Sequence, residues 1–212
     1  MPLLRMESKA KPIKRISGKG KGLAAFRRNT RAAVRGLWNG ALNKNQAFDA
    51  FVVAIEQAID LAWTEGAQEC GIQEDELTEE ETEARDDFIF TQTGQLRPFI
   101  DDIEKKSKKN KGELTPLLIR NEMWVSQYSS AKQQSEAMAC KDEKREWRIG
   151  RTEHCRQCLG LNGIVKRLSF WRLHVMPRSA PNEKLDCRGY RCQCILRKTD
   201  KPITRGKLPL GL

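Results

Sequence analysis

The stretch Cys155-Arg-Gln-Cys158 is followed, about thirty residues later, by Cys187-Arg-Gly-Tyr-Arg-Cys192-Gln-Cys194. A Cys-x2-Cys pair presents two thiolates from one tight turn, and a second cluster that closes a loop can complete the tetrahedral shell of a zinc ion. Cys192 and Cys194 would leave the same face of an extended strand and could bind one ion, with Cys187 as a competing ligand. The spacing therefore predicts a structural zinc site with candidate ligands Cys155, Cys158, Cys187, Cys192 and Cys194.

Free or disulfide-bonded thiols are the alternative interpretation of these cysteines. Five of the seven cysteines lie in these forty residues, and the other two, Cys70 and Cys140, fall in helical patterns without an evident partner. The basic N-terminus has no apolar segment after it and does not resemble a secretory signal, so we expect cytoplasmic synthesis and reduced thiols. This favours metal over disulfides, and it leaves open which four cysteines bind the ion.

The residues around the cysteines resemble the C-terminal signature of phage head morphogenesis proteins, the minor head proteins of the Mu F-like family. The resemblance rests on two features. The first is Cys-x2-Cys followed directly by Leu-Gly-Leu-Asn-Gly163, and the second is a closing Cys-x-Cys with the apolar residue Leu196 two positions after it. Many members carry His-Pro just before the closing pair, where this chain has Gly189-Tyr190-Arg191. The similarity spans about 45 residues, and the departure leaves the fourth ligand open.

This resemblance implies a non-catalytic structural component of a tailed-phage virion. It implies association with portal and capsid proteins, in multiple copies per virion, at the capsid interior or the portal vertex. The implied role is in head morphogenesis and in DNA packaging or ejection, after synthesis in the host cytoplasm. The resemblance transfers no active-site residue to this chain.

The composition is that of a helix-rich protein with a modest core. Of the 212 residues, 32% are charged, 39% are apolar and only 7% are aromatic. A chain of this length can bury a core, and it contains no run of eighteen apolar residues, so we expect no membrane span.

The net charge of +11 is unevenly distributed along the chain. Residues 1–44 contain 12 basic residues and 1 acidic residue, whereas residues 45–100 contain 2 basic and 14 acidic residues. Residues 151–212 return to 14 basic and 4 acidic residues. Two basic ends therefore flank an acidic middle, and the ends could contact DNA phosphates or the acidic segment itself. Residues 1–22 and 197–212 lack periodicity, and we expect a flexible basic arm and a flexible basic tail.

Apolar periodicity predicts several helices between these ends. A short basic helix is expected from Leu23 to Trp38, and a continuous apolar stripe predicts a core helix over residues 46–69 that Gly71 ends. Thr78 and Glu81 form a capping-box pattern for the next helix, which Gly94 and Pro98 should kink or divide.

The last long helix is expected to start at Thr115-Pro116 and to reach about Ala139. Antiparallel packing of this helix on the two before it would bury their apolar stripes. Beyond it, short apolar runs between glycines and prolines, among them Phe170-Trp171, suit strands. The sequence thus predicts an α+β fold, with an N-terminal α-helical bundle over residues 23–144 and a small β-rich, cysteine-stapled module over residues 145–196.

Two other functions are compatible with a cysteine-bound zinc. A zinc-associated nuclease needs a histidine to activate water, and a zinc-containing DNA-binding regulator would read sequence through its basic module. The chain has two histidines, neither in an acid-flanked pair. His154 adjoins Cys155, which makes simultaneous ligation awkward and favours a non-ligand role, and His174 is expected to be a partner-contacting or hydrogen-bonded side chain. The sequence therefore favours a protein that is not an enzyme.

Overall fold

The computed structural model describes residues 21–151, 153–180, 182–189 and 192–210. It is mostly helical and contains a small three-stranded sheet, which agrees with the predicted α+β class. The predicted basic arm of residues 1–22 lies outside the described residues, except for Lys21 and Gly22, which begin the first helix. None of the helices in the described residues combines the length and apolarity needed to cross a bilayer.

The first part of the described chain consists of helices joined by short connections. It contains five helices and two short 3-10 turns, the latter at Glu74–Glu76 and Lys108–Asn110. The helices are α1 (Lys21–Asn39), α2 (Lys44–Gln68), α3 (Glu79–Gly94), α4 (Leu96–Lys105) and α5 (Leu114–Ala139).

Local sequence signals account for most of these boundaries. Thr78 and Glu81 form the expected capping box of α3, and the chain divides at Gly94, as predicted. Gly71, with φ of 80°, follows the end of α2. The start of α5 was predicted wrongly: Glu113 precedes its first residue, and Thr115 lies inside the first turn rather than capping it. The N–H groups of the first turn have no helical partner, so a proline, which lacks an N–H, removes no hydrogen bond there, and Pro116 does not fix the first residue.

Helices α2 and α5 form the centre of the helical core, and they run in the same direction. Phe51 lies 6.4 Å from Trp124 between ring centroids, and further along both helices the Ser135 hydroxyl donates to the carbonyl oxygen of Trp63 at 2.6 Å. The predicted antiparallel packing of α5 is therefore wrong for this pair. The chain returns to the start of α2 through α3 and α4 before α5 begins, and that return makes a parallel pair possible.

Helix α1 runs antiparallel to α5. The buried amide of Asn121 donates to Thr30 Oγ1 at 3.0 Å, and the indole N–H of Trp38 donates to the Gly112 carbonyl at 3.3 Å. Arg27 and Arg31 both form ion pairs with Glu122 of α5, at 3.0 and 2.9 Å. Part of the basic face of α1 is thus engaged within the chain.

The second part of the chain is built on three short antiparallel strands in the order β2-β1-β3. These are β1 (Lys144–Arg148), β2 (Val165–Arg167) and β3 (Ile195–Lys198). The β-rich expectation holds only partly, because two helices lie between the strands: α6 (Arg156–Leu161) and α7 (Leu168–His174). Phe170 and Trp171, predicted in a strand, lie in α7.

A separate hydrophobic core supports this sheet. Trp147 of β1 and Trp171 of α7 are fully buried with ring centroids 5.5 Å apart, and the Trp171 indole donates to the Arg145 carbonyl at 3.1 Å. Cys158 and Cys194 belong to the same core. Two of the candidate metal ligands are therefore buried in this core, and the other three, Cys155, Cys187 and Cys192, pack against it and are partly exposed.

The basic tail is more ordered than the sequence suggested. Thr204 exchanges hydrogen bonds with the backbone of Val165 in β2, and Lys166 Nζ donates to the carbonyl oxygens of Thr204 and Gly206 at 2.7 and 3.0 Å. Leu210 is buried in the core of the module. The prediction of a flexible tail is corrected over residues 197–210: its polar backbone pairs with a strand edge, an interaction that no periodicity reveals.

Cys70 and Cys140, for which the sequence showed no evident partner, form a disulfide with each other, so the expectation against disulfides is wrong for this pair. Cys70 lies just beyond α2 and Cys140 just beyond α5, and their Cα atoms are 5.6 Å apart. The parallel pairing of α2 and α5 brings both C-terminal ends to one place. This contact joins positions 70 residues apart, so local patterns could not predict it.

Candidate metal centre

The first thiol pair is held by the short helix α6. Cys155 immediately precedes it, and Cys158 lies in its first turn with its side chain buried. Between them, Gln157 Nε2 donates to Asp186 Oδ1 at 2.7 Å, and the Asp186 backbone N–H donates back to Gln157 Oε1 at 3.2 Å. This reciprocal pair fastens the first turn to the loop that carries Cys187.

That loop reverses sharply just after Cys187. Arg188 and Gly189 both have positive φ, 49° and 78°, and the Arg188 N–H donates to the Leu185 carbonyl at 2.7 Å. A Cβ at position 189 would collide with the carbonyl oxygen of Ser179, so the turn needs glycine for both space and conformation. The turn directs the chain from Cys187 back toward the last two cysteines.

Cys192 and Cys194 lie on the extended segment that leads into β3. Arg178 anchors this segment: its Nε donates to the Cys194 carbonyl at 3.1 Å and its guanidinium to the Gln193 carbonyl at 3.2 Å. Gly150 lies against the same segment, and a Cβ there would come within 2.6 Å of the Gln193 backbone oxygen. The module thus positions the closing Cys-x-Cys from two sides.

All five predicted ligands converge. The sulfur atoms of Cys155, Cys158 and Cys187 lie within 4.8 Å of one another, and we call this set the outer triplet. The sulfur atoms of Cys158, Cys192 and Cys194 do the same, and we call this set the inner triplet. Cys158 belongs to both triplets, and two groups of thiols close enough to hold a metal ion therefore share one sulfur.

Crowding shifts the pKa values of these thiols in opposite directions. Hydrogen bonds from the thiols of Cys158 and Cys194 lower the pKa of Cys192 to about 2, and the contacts of Cys158 with Cys192 and Cys194 raise the pKa of Cys158. Burial raises the pKa of Cys187 to about 11. Adjacent thiols cannot all ionise without a positive partner, because each thiolate disfavours the next. A bound cation would remove this conflict by stabilising several thiolates together.

His154 lies closer to the cysteines than the sequence suggested. Its Nδ1 is 3.7 Å from the sulfur of Cys194, and its Nε2 is 3.1 Å from the Gly150 carbonyl oxygen. The pKa of the Cys194 thiol is raised to about 11: the contact with Cys158 lowers it, but the contact with Cys192 and burial outweigh that effect and the smaller lowering by the Gly150 N–H. The argument that adjacency to Cys155 separates His154 from the ligands does not hold here, because its ring faces Cys194 instead.

His174 has the role that the sequence favoured. Its ring stacks on Phe170 with centroids 4.0 Å apart, and its Nδ1 lies 3.0 Å from the Phe170 carbonyl oxygen. Both of these contacts lie within α7. The side chain is thus hydrogen-bonded and packed locally.

Sequence reasoning missed the residues that support the cysteines. The signals for Arg178 and Gly150 are faint: an arginine and a glycine in a segment rich in both, with no spacing that relates them to Cys194. The one usable signal was the position of His154 directly before Cys155. Comparison with protein-family models, with curated proteins and with solved structures finds no match.

Proposed function

We propose that this protein is a non-catalytic, zinc-stapled component of a tailed-phage head that binds at the portal vertex. Its C-terminal module is the attachment or assembly element, and zinc holds that module in shape. The observation that carries the metal part is the convergence of five cysteines into two thiol triplets around Cys158. The phage part rests on the order and spacing of the Cys-x2-Cys and Cys-x-Cys signature.

Zinc suits this ligand set better than other ions. Soft thiolates select zinc over magnesium or calcium, and a thiolate-rich tetrahedral shell is typical of structural zinc. The two buried sulfurs, of Cys158 and Cys194, sit within the hydrophobic core of the module. A closed ion in that position would stabilise a small core, as structural zinc does in other small domains.

A non-catalytic role agrees with the composition of the site. Both groups of potential metal ligands found in the described part of the chain consist of cysteine alone. A catalytic zinc ion needs a general base beside its open position, and cysteine thiolates bound to the metal do not supply one. His174 is engaged with Phe170, and His154 faces a thiol rather than a carboxylate.

DNA contact through the basic ends remains part of the proposal. Arg28 and Arg35 are exposed on α1, the helix that follows the basic arm. Exposed arginines gain affinity for nucleic acid by displacing counterions from the phosphate backbone, without reading sequence. Such contact would suit a protein that acts in packaging or ejection of DNA.

Metal analysis combined with a portal pull-down tests the proposal. The full chain, purified under reducing conditions, is expected to contain zinc and to retain the portal protein of the phage that encodes it. A Cys155→Ser, Cys158→Ser double variant should lose zinc and portal binding together. A His174→Ala variant should keep both, because His174 contacts neither triplet.

The competing functions give different results in the same preparations. Cleavage of plasmid DNA with magnesium or manganese, abolished by His154→Ala or His174→Ala, would replace the structural role with a nuclease. Selective binding of one duplex over shuffled duplexes would favour a regulator. If zinc-free protein still binds the portal protein, zinc is not needed to hold the C-terminal module in its binding conformation, which would contradict the proposal.

A further inference from the structure

We propose that the cysteine cluster holds two divalent metal ions that share the thiolate of Cys158, and that His154 completes the inner site through Nδ1. This inference rests on the proposed binding of zinc and specifies its stoichiometry and ligands. Its geometric basis is that the described cysteines form two overlapping triplets rather than one group of four or five.

A single tetrahedral ion does not account for both triplets. Four sulfur ligands of one zinc ion must lie at similar distances from each other, at the corners of one tetrahedron. The structure brings together three sulfurs on each side of Cys158, within 4.8 Å in each triplet. Two ions with a common thiolate use all five cysteines, whereas one ion leaves at least one of them without a role.

His154 supplies the fourth ligand of the inner site. A carbonyl oxygen only accepts hydrogen bonds, so the 3.1 Å contact with Gly150 requires a proton on Nε2. In the neutral ring this leaves Nδ1 with a free lone pair, and Nδ1 lies 3.7 Å from the Cys194 sulfur. Metal-bound histidines commonly donate their other ring N–H to a backbone carbonyl in this way. The sulfurs of Cys158, Cys192 and Cys194 already lie within 4.8 Å of one another, and a shift of the His154 ring from its contact with Cys194 toward the triplet would complete a Cys3His set.

The outer site has three thiolates and one position open to the surroundings. Cys155 and Cys187 are partly exposed, whereas the shared Cys158 is buried. Water or a side chain of a bound partner can therefore reach the fourth position of the outer ion. The adjacency of His154 and Cys155 is no obstacle, because the two neighbours bind different ions.

The charges favour two ions over a single ion bound by four thiolates. Five thiolates and two divalent ions leave one net negative charge, which the guanidinium of Arg178 can balance because it interacts with both Cys192 and Cys194. A single ion with four thiolates leaves two negative charges in a partly buried site. Uncompensated charge is costly away from water, so the two-ion arrangement is the better balanced.

The test counts zinc ions per chain in the full-length protein. The chain is reconstituted with zinc under reducing conditions, desalted and analysed by mass spectrometry for zinc against protein concentration. Cobalt(II) titration, followed by thiolate-to-metal absorption, provides an independent count. We expect two ions per chain by both methods, and one ion per chain would overturn the inference while leaving a zinc-stapled protein intact. Absence of metal would overturn the proposed zinc site as well.

Single substitutions separate the two sites. His154→Ala should weaken the inner ion at least about tenfold and shift the cobalt d–d bands of that ion. The other histidine of the chain provides the matched control, so His174→Ala should keep two ions at unchanged affinity. Cys155→Ser should remove the outer ion alone. Unchanged zinc affinity in His154→Ala would exclude this histidine as a ligand.

Substitution of Cys158, the shared ligand, should change the metal content differently from substitution of a ligand of one site. Cys158→Ser should lose both ions, whereas Cys187→Ser should lose one. Retention of one tightly bound ion by folded Cys158→Ser protein would overturn the shared ligand. If that variant does not fold, the cobalt count of the Cys155→Ser and Cys187→Ser variants still decides between one ion and two.

Discussion

Gly66 of α2 allows helices α2 and α5 to approach each other closely. A Cβ at Gly66 would lie 2.8 Å from the Ser135 Cβ and would press on the carbonyl of Lys132, both in α5. A Cβ added at Gly94, at the end of α3, would have no neighbouring atom within 4 Å. Gly66 is enclosed by α5 and Gly94 has open space around it, so the two helical glycines can be compared.

We expect Gly66→Ala to lower the free energy of unfolding by about 1–3 kcal/mol, because a well-packed interface has to move to admit the methyl group. Gly94→Ala should be neutral or stabilising by up to about 1 kcal/mol, since alanine is the better helix former. Urea unfolding followed by circular dichroism measures both. Equal effects at the two positions would contradict the close contact between α2 and α5.

At the scale of elements, the disulfide between Cys70 and Cys140 joins the ends of α2 and α5. Replacing both residues by alanine should lower the free energy of unfolding by about 2–4 kcal/mol, because the bond restricts a long loop of the unfolded chain. A reducing agent should lower the stability of the wild-type protein and leave that of the double variant unchanged. Equal stability of the two oxidised proteins would argue against the bond.

The tail is held to the sheet by ion pairs whose strength depends on pH. The hydrogen bond from Lys201, at 2.7 Å, lowers the pKa of Glu146 below the usual 4.5. Glu143 also has a lowered pKa: burial opposes the shift, but the hydrogen bond from Lys198 and the charge of Arg145 outweigh it. Both carboxyl groups have a lower pKa in the folded state than in the unfolded chain. Their ion pairs therefore stabilise the folded state above pH 4.5, and this stabilisation is lost as the pH falls through the lowered pKa values.

We therefore expect residues 199–210 to be protected above about pH 5 and to become exchangeable or cleavable as the pH falls below about 4.5. Hydrogen exchange of tail peptides measures this change. Glu146→Gln should reduce the pH dependence, whereas Glu183→Gln, at an exposed carboxylate elsewhere in the module, should not. Tail protection that does not change across this range would show that the carboxylates do not hold it.

At the scale of the whole molecule, two hydrophobic cores divide the described chain. One is built from α1 to α5, and the other contains the two buried tryptophans of the module together with Cys158 and Cys194. From the helical part, Ala137 and Cys140 at the end of α5 belong to the second core, and Cys70 beyond α2 packs against it. Loss of metal should therefore affect the two parts unequally.

Removing zinc with a chelator, or introducing Cys155→Ser or Cys158→Ser, should loosen residues 144–210 and leave α1 to α5 largely helical. The reason is that the helical core contains none of the five cysteines of the triplets. Hydrogen exchange by peptide, with circular dichroism at 222 nm, separates the two responses. Equal loss of protection throughout the chain would show one cooperative unit instead of two.

The sequence by itself determined the helices, their main caps and the set of candidate ligands. The apolar stripe around Phe51 and Ile55, the capping box at Thr78 and the Cys-x2-Cys spacing are all local patterns, and each depends on residues a few positions apart. The α+β class followed from the apolar pattern, which changes after residue 144 from helical periodicity to short apolar runs that suit strands.

Only the tertiary structure decided which distant residues meet. The parallel pairing of α2 with α5, the disulfide of Cys70 with Cys140, the tail on the edge of β2, and the ring of His154 beside Cys194 all join segments far apart in the chain. Such contacts depend on how the whole chain closes on itself, and no spacing along the sequence encodes them.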